Sequence, residues 1–384
     1  MIVYWPSMAS WEACPQQYLW RRGFPGIDVG GGEGRQRPFP EGKTDEHALV
    51  GTVVQKAVEV FYNMRGWERD DDDAREIVRM VANDEFDKAL RKASEPPKPG
   101  RYPGFRLPAR ADLAAMRADI VRSAVGFVAT CHANNLYGQV ALPEHKIAGR
   151  LRADPEIVVS GRLDLYLVQS TEAGPIVIDG KNGKEYWDDD AREFRMHVDV
   201  DQLVFYALIV SLVDGKVPKR LGVVPYRYPS GYDWAAEIGF LRDVVRAPDA
   251  PESRKRALAA YESRGPSKGI VWYECDQDRV EHIAARAVQF ADEMLRIEKA
   301  APAPLSPDVQ AAVAEAEFPA RVGGQCRICD YESVCEPRQV HLAELRAKRK
   351  PVVAAPFVAE EHLAQESDLD SLMGLASLVR RADG

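Results

Sequence analysis

Three charged residues in an otherwise apolar stretch are the first candidates for chemistry in this sequence. Asp164 lies in the run Leu163-Asp164-Leu165-Tyr166-Leu167-Val168. After a turn over Gln169 to Pro175, a second apolar run, Ile176-Val177-Ile178, ends in Asp179-Gly180-Lys181. The two runs read as strands joined in a hairpin. Side chains two apart on a strand share a face, so Asp179 and Lys181 project together. Burying two acids and a lysine among valines and isoleucines is costly unless they are paired or hold a metal. A salt bridge at a sheet end and a metal site both answer that cost.

A second cluster lies near the C-terminal end. Cys326-Arg327-Ile328-Cys329 is followed by Cys335. The spacing is that of metal or cluster ligands, two thiolates across a tight loop and a third within reach. A tetrahedral zinc or a cubane cluster needs a fourth ligand. His341 lies past Pro337, and Cys14, at the opening of a short helix, is the candidate. It would staple the two ends of the chain together. The spacing fits zinc and an iron–sulfur cluster alike. Cys131 sits in an apolar helical pattern and reads as a small core residue, and Cys275 lies alone.

The elements that must position these residues follow from periodicity. Residues 8–22 read as a short helix with Ser10 as its N-cap, and Gly23 to Gly42 as a loop. Thr44 to Tyr62 is a helix with the stripe Val50, Val54, Ala57, Val58 and Phe61. Gly51, Gln55 and Glu59 recur every four residues beside that stripe. Asp71 to Lys92 and Ala111 to Leu136 are two further helices, joined by a proline-rich connector over Glu95 to Pro108. Residues 60–137 thus form a helical insertion packed on the sheet that follows. Strands are expected over Pro143 to Ile147, with Glu144 at the start, then Ile157 to Val168 and Leu221 to Tyr228. A polar loop spans Lys184 to Arg195. The helix over Asp199 to Val213 carries Gln202 and Tyr206 on one face. Arg279 to Lys299 is a helix, and Ala300 to Pro307 a proline-rich linker.

Composition narrows the class. The chain has 384 residues, 46% hydrophobic and 29% charged, as in a globular protein with a substantial core. No apolar run approaches the ~18–20 residues that span a bilayer, so no membrane is expected. The N-terminus lacks a basic segment followed by an apolar one, so the expected location is cytoplasmic. Six cysteines there do not make a disulfide framework. The net charge of −8 counts mildly against a nucleic-acid binder. Local basic segments, Arg101 to Arg110 and Arg346 to Lys350, can still meet phosphate.

Taken together, these pieces resemble the RecB-like branch of the PD-(D/E)XK nuclease superfamily, nearest its iron–sulfur members. Those are the CRISPR-associated RecB-like exonucleases and the AddB-type nuclease domain, with stand-alone phage forms. The motifs stand in the family order. They are Cys14-Pro15-Gln16-Gln17-Tyr18-Leu19, the helix from Gly51 to Glu59, Gly161-Arg162-Leu163-Asp164, Asp179-Gly180-Lys181, Gln202 with Tyr206, and the C-terminal cysteines. The family usually has histidine where this chain has Gln55.

The resemblance implies an α/β fold: a restriction-endonuclease-like mixed central sheet flanked by helices. Residues 1–340 would form the nuclease domain, with 60–137 as insertion, 140–240 as catalytic core and 323–337 as cysteine segment. Residues 341–384 would be a charged tail, with an amphipathic helix over Asp368 to Arg381. It implies a divalent-metal-dependent deoxyribonuclease acting on single-stranded DNA or duplex ends in recombination, repair, phage DNA metabolism or CRISPR adaptation. Mg²⁺ or Mn²⁺ would be held by Asp164, Asp179, the Gly180 carbonyl and Gln55. Lys181 would polarise the attacking water, Gln202 and Tyr206 would contact the substrate strand or orient the site, and Glu144 would support it. Cys14, Cys326, Cys329 and Cys335 would hold a structural 4Fe–4S cluster, zinc being the alternative. No Gly-x-x-x-x-Gly-Lys-Ser/Thr loop is present, so unwinding would fall to a partner such as a helicase or recombinase. The competing expectations are a non-catalytic DNA-binding scaffold with the same fold, and a zinc-stabilised hydrolase of another kind.

Overall fold

In a computed structural model the chain is described at residues 1–22, 46–94, 112–134, 141–167, 175–181, 185–196, 198–225, 234–265, 269–300, 307–323, 326 and 335–348. The elements run β1 (Ile2–Val3), α1 (Trp5–Ala13), α2 (Pro15–Arg22), α3 (Glu46–Asn63), α4 (Asp71–Ser94) and α5 (Leu113–Ala133). Then come β2 (Ala141–Ala153), β3 (Glu156–Leu167), β4 (Ile176–Lys181), β5 (Glu185–Asp188), β6 (Glu193–Met196) and α6 (Val200–Asp214). β7 (Arg220–Pro225), α7 (Trp234–Val245), α8 (Glu252–Arg264), β8 (Val271–Glu274), α9 (Gln277–Ala300), α10 (Pro307–Glu317) and α11 (Glu336–Lys348) complete them.

β3 is the axis of a mixed sheet. β2 pairs with it antiparallel along one edge, from Ala153↔Glu156 to Ala141↔Leu167. Its other edge is shared. β1 joins it in parallel at Ile2↔Val158 and Val3↔Val159, and β4 joins it antiparallel from Leu167↔Ile176 to Leu165↔Ile178. Between those two partners, Ser160 to Asp164 pair with no described strand on that edge. Beyond β4 the sheet continues through parallel β7 to antiparallel β8.

Both faces of the sheet are apolar and covered. Val159, Leu163, Tyr166, Val177, Leu221 and Val223 belong to a core shared with α1, α6 and α9. Leu165, Leu167, Ile178 and Val224 belong to a second core with α3, α4 and α5. α6 is apolar all round because it is buried all round: Leu203 through Val210 are buried without interruption. Gly215 closes it at φ 69°, a left-handed C-terminal conformation that suits glycine. α9 buries only one stripe, Val280, Ile283, Ala287, Phe290, Met294 and Ile297. Among the described residues, no helix is long and apolar enough to cross a membrane.

Helices stand at Glu46–Asn63, Asp71–Ser94, Leu113–Ala133, Val200–Asp214 and Gln277–Ala300, where the helical periodicity predicts them, and α3, α4 and α5 pack on the sheet. Three local expectations are corrected. Ser10 is not an N-cap: it lies within α1 and its hydroxyl donates back to the Pro6 carbonyl at 2.6 Å. Pro15 has no N–H to continue α1, so Cys14 adopts an extended conformation at the corner between two helices. The polar stretch 184–195 contains a hairpin, β5 with β6, whose Trp187 and Phe194 pack with Tyr261 of α8. The sheet also takes in strands at residues 2–3 and 271–274. The segments 23–42 and 95–108, Cys329 and the 368–381 helix lie outside the described residues.

Candidate active site

Strand register brings three acids to one level of the sheet. In the β2–β3 ladder, Pro143↔Leu165 and His145↔Leu163 leave Glu144 opposite Asp164. In the β3–β4 ladder, Asp164 and Asp179 stand one step past the last pair, Leu165↔Ile178. Glu144 has φ 49°, a left-handed backbone that non-glycine residues seldom adopt. Such strain is characteristic of sites where side-chain placement matters more than local comfort.

Where the β3–β4 ladder ends, the Gly180 N–H is free to donate to Asp164 Oδ2, at 2.9 Å. Asp164 Oδ1 accepts from Gln55 Nε2 at 2.6 Å. The same amide nitrogen donates to Glu144 Oε1, also at 2.6 Å. Gln55 therefore reaches in from α3 and bridges two of the acids. Arg162 Nη1 donates to Glu144 Oε2 at 3.1 Å.

Asp179 is 2% exposed. Lys181 Nζ lies 2.7 Å from its Oδ2. Lys181 meets the buried Oδ2 as an ion pair, and among the described residues no donor is aligned with that oxygen. Lys181 Nζ also donates to Gln202 Oε1 at 3.3 Å, and Gln202 Nε2 donates to the Tyr206 hydroxyl at 2.8 Å. This chain of contacts carries the site from β4 to α6. Gly161 matters here because a Cβ on it would lie 3.0 Å from the Tyr206 ring and from Ile209 Cδ1.

Burial pushes the Asp164 carboxyl well above the usual carboxylate range, and the Asp179 charge pushes it further, against the Gly180 amide and Lys181. Burial raises Asp179 too, with Lys181 opposing. The Tyr206 phenol is raised by burial and then by the Asp179 charge. Three acids thus share the site with two cations, Lys181 at Asp179 and Arg162 at Glu144.

Six sequence-predicted residues therefore meet: Gln55, Glu144, Asp164, Asp179, Lys181 and Gln202, with Tyr206 and the Gly180 amide beside them. Arg162, quoted only as part of a motif, is in contact as well.

The sequence profile of the PD-(D/E)XK nuclease superfamily matches residues 7–336. The chain belongs to that superfamily. No curated protein matches it in sequence. The central mixed sheet flanked by helices is the restriction-endonuclease-like fold of the superfamily. Asp179-Gly180-Lys181 has the (D/E)XK pattern of the superfamily's name.

Superfamily nucleases generally use Mg²⁺ or Mn²⁺, and the donor set suits such an ion. Two desolvated carboxylates, one with an oxygen lacking an aligned donor, offer hard oxygen ligands. Among the described residues, no three of His, Cys, Asp and Glu form a group able to enclose a metal. Mg²⁺ does not require a protein cage, since one or two carboxylates, waters and substrate phosphates commonly hold it.

The two ends of the chain also meet. The Arg321 N–H donates to Cys14 Sγ at 3.5 Å, and its guanidinium donates to the Glu12 carbonyl at 2.8 Å. The Gly323 N–H donates to Cys326 Sγ at 3.4 Å. Cys335 Sγ lies 3.7 Å from Gln16 Oε1. Amide donors on sulfur suit thiolate ligands, and Cys329 lies between them in sequence. Cys131 and Cys275 are buried elsewhere, the first with its thiol pushed up to about 12 by burial.

Proposed function

We propose that the chain is a divalent-metal-dependent deoxyribonuclease that hydrolyses phosphodiester bonds, acting as an exonuclease on single-stranded DNA or DNA ends. The observation that carries this reading is the level row of Glu144, Asp164 and Asp179 with Lys181 against the buried Asp179 oxygen. Asp164 and Asp179 would hold Mg²⁺ or Mn²⁺, with the Gly180 carbonyl and the Gln55 side-chain oxygen as neutral ligands. Bound there, the ion supplies neutralisation of the phosphate and an acidified water. Lys181 keeps an ammonium beside the reacting phosphate and stabilises the charge that develops on its oxygens. Gln202 holds Lys181 in place, and Tyr206 holds Gln202. Glu144 fixes Gln55 and Arg162. Recombination, repair or phage DNA metabolism would supply such ends, and a partner helicase would unwind them.

The test is incubation of the purified chain with end-labelled single-stranded and duplex DNA in Mn²⁺ or Mg²⁺. Shortening of the labelled strand that EDTA stops is the expected result. DNA binding without cleavage under either ion would favour the scaffold reading instead.

We further propose that Cys14, Cys326, Cys329 and Cys335 hold a structural 4Fe–4S cluster. Its support is the Cys-x2-Cys-x5-Cys spacing and the placement of Cys14 and Cys326 against Arg321, with Cys335 near Gln16. Protein purified without oxygen should be brown and contain iron and acid-labile sulfide in equal amounts. Colourless protein with one zinc per chain would replace the cluster by zinc.

A further inference from the structure

A concave pocket opens beside the acid row along the unpaired edge of β3. Tyr4, Trp5, Lys146, Gly161, Arg162 and Tyr206 line it, and its volume is about 450 Å³. Its position follows from the sheet. β1 leaves β3 after Val3↔Val159 and β4 joins only at Leu165↔Ile178, so the edge from Ser160 to Asp164 runs open from pocket to site. At about 3.3 Å per strand residue, Gly161 lies roughly 10 Å from Asp164. Tyr206 belongs to both, as a wall of the pocket and as the end of the Lys181–Gln202 contact chain.

The lining has two chemistries. Tyr4 is 42% exposed and presents a ring at the mouth. Trp5 is fixed behind it, its Nε1 donating to Asp199 Oδ2 at 3.0 Å. Lys146 and Arg162 are exposed and directly opposite each other in the β2–β3 ladder. Arg162 gives one donor to Glu144 at 3.1 Å, and the remaining donors of its exposed guanidinium can share an anion with Lys146. Aromatic faces beside paired cations are what a single nucleic-acid strand uses: rings for bases, cations for phosphates. A base held in a duplex has no face free for Tyr4.

We propose that this pocket binds an unpaired nucleotide of the substrate strand, next to the bond cleaved at Asp164 and Asp179. The base stacks on Tyr4 and the phosphate lies between Lys146 and Arg162. The proposal rests on the nuclease reading for its strand, and it assigns that strand as single. The pocket then accounts for substrate choice, because only melted or single-stranded DNA can fill it.

The test uses the full chain and one fluorescein-labelled oligonucleotide, single-stranded or annealed to its complement. Affinities are measured by anisotropy in an Asp179→Asn background, and cleavage in the otherwise unaltered chain. Tyr4→Ala and Lys146→Ala should each weaken single-strand binding by about ten-fold, and raise KM to match with kcat kept. Duplex binding should change little, and Tyr4→Phe should bind single strands like the parent. Unchanged single-strand affinity in Tyr4→Ala, or an equal loss on duplex, overturns the proposal. The two readings fail separately. A chain that cuts no DNA but loses single-strand affinity in Tyr4→Ala keeps the pocket and loses the nuclease. A chain that cuts DNA with Tyr4→Ala affinity unchanged does the reverse.

Discussion

Asp179→Asn is expected to abolish DNA cleavage and, in metal-free protein, to raise the melting temperature. Both effects have one cause. Asp179 is almost wholly buried, sits beside Asp164, and has an oxygen without an aligned donor. An amide there removes one charge from a desolvated pair while keeping its shape. On the proposed mechanism, in which Asp179 holds the ion, its loss should lower cleavage about a thousand-fold or more. Removing a buried like-charge repulsion should stabilise the metal-free fold by about 1 kcal/mol.

The pH dependence provides an internal check. Both acids have folded pKa values raised above their unfolded ones. Their ionisation therefore costs stability at pH above the raised values, and the cost vanishes as pH falls through those values toward the ordinary 3.8. Added Mg²⁺ competes with the same protons, so its stabilising effect should grow with pH. Melting curves of the parent and the variant, with and without Mg²⁺, measure all of this. Full cleavage by Asp179→Asn would sink the mechanism. A lowered metal-free melting temperature would show instead that Lys181 already compensates the pair.

Much of the site is legible in the sequence because its chemistry breaks a local pattern. Acids at Asp164 and Asp179 interrupt strands that otherwise alternate, and Gln202 and Tyr206 sit at helical spacing on α6. What local pattern alone does not show, and only the family resemblance points to, depends on register between distant segments. Glu144 looks like an ordinary surface acid until β2 aligns it with Asp164 and its backbone turns left-handed. Gln55 meets Asp164 across 109 residues, a contact that no local period encodes. The same holds for the pocket, which exists because the first residues of the chain add β1 to β3. Fold elements were missed for a related reason. In 184–195, Trp187 and Phe194 are hidden among acids and arginines, so the hairpin reads as a loop until α8 supplies Tyr261. Residues 8–22 read as one helix, although the missing N–H of Pro15 separates two.

Gln55→Glu should convert the most unusual position of the site into its most metal-hungry one. The Gln55 amide nitrogen donates to Glu144 and Asp164 at once, so it bridges the two acids. Which end of an amide points inward is set by its partners. With a cation between the carboxylates, the same side chain presents its oxygen. Glutamate cannot play the first part. It would replace a donor by a third acid, and the metal-free protein should lose about 1–3 kcal/mol of stability. It would improve the second part, since a charged oxygen binds Mg²⁺ or Mn²⁺ better than a neutral one. The variant should therefore unfold earlier than the parent in EDTA, yet gain more from Mn²⁺, with a Kd by calorimetry tighter by about ten-fold. Gln55→Ala separates the two parts, because it removes the donor without adding a ligand. It should be destabilised in EDTA and bind Mn²⁺ no more tightly than the parent. If Gln55→Glu melts with the parent in EDTA and shows the same Mn²⁺ affinity, Gln55 is neither the clamp of the empty site nor a ligand of the filled one.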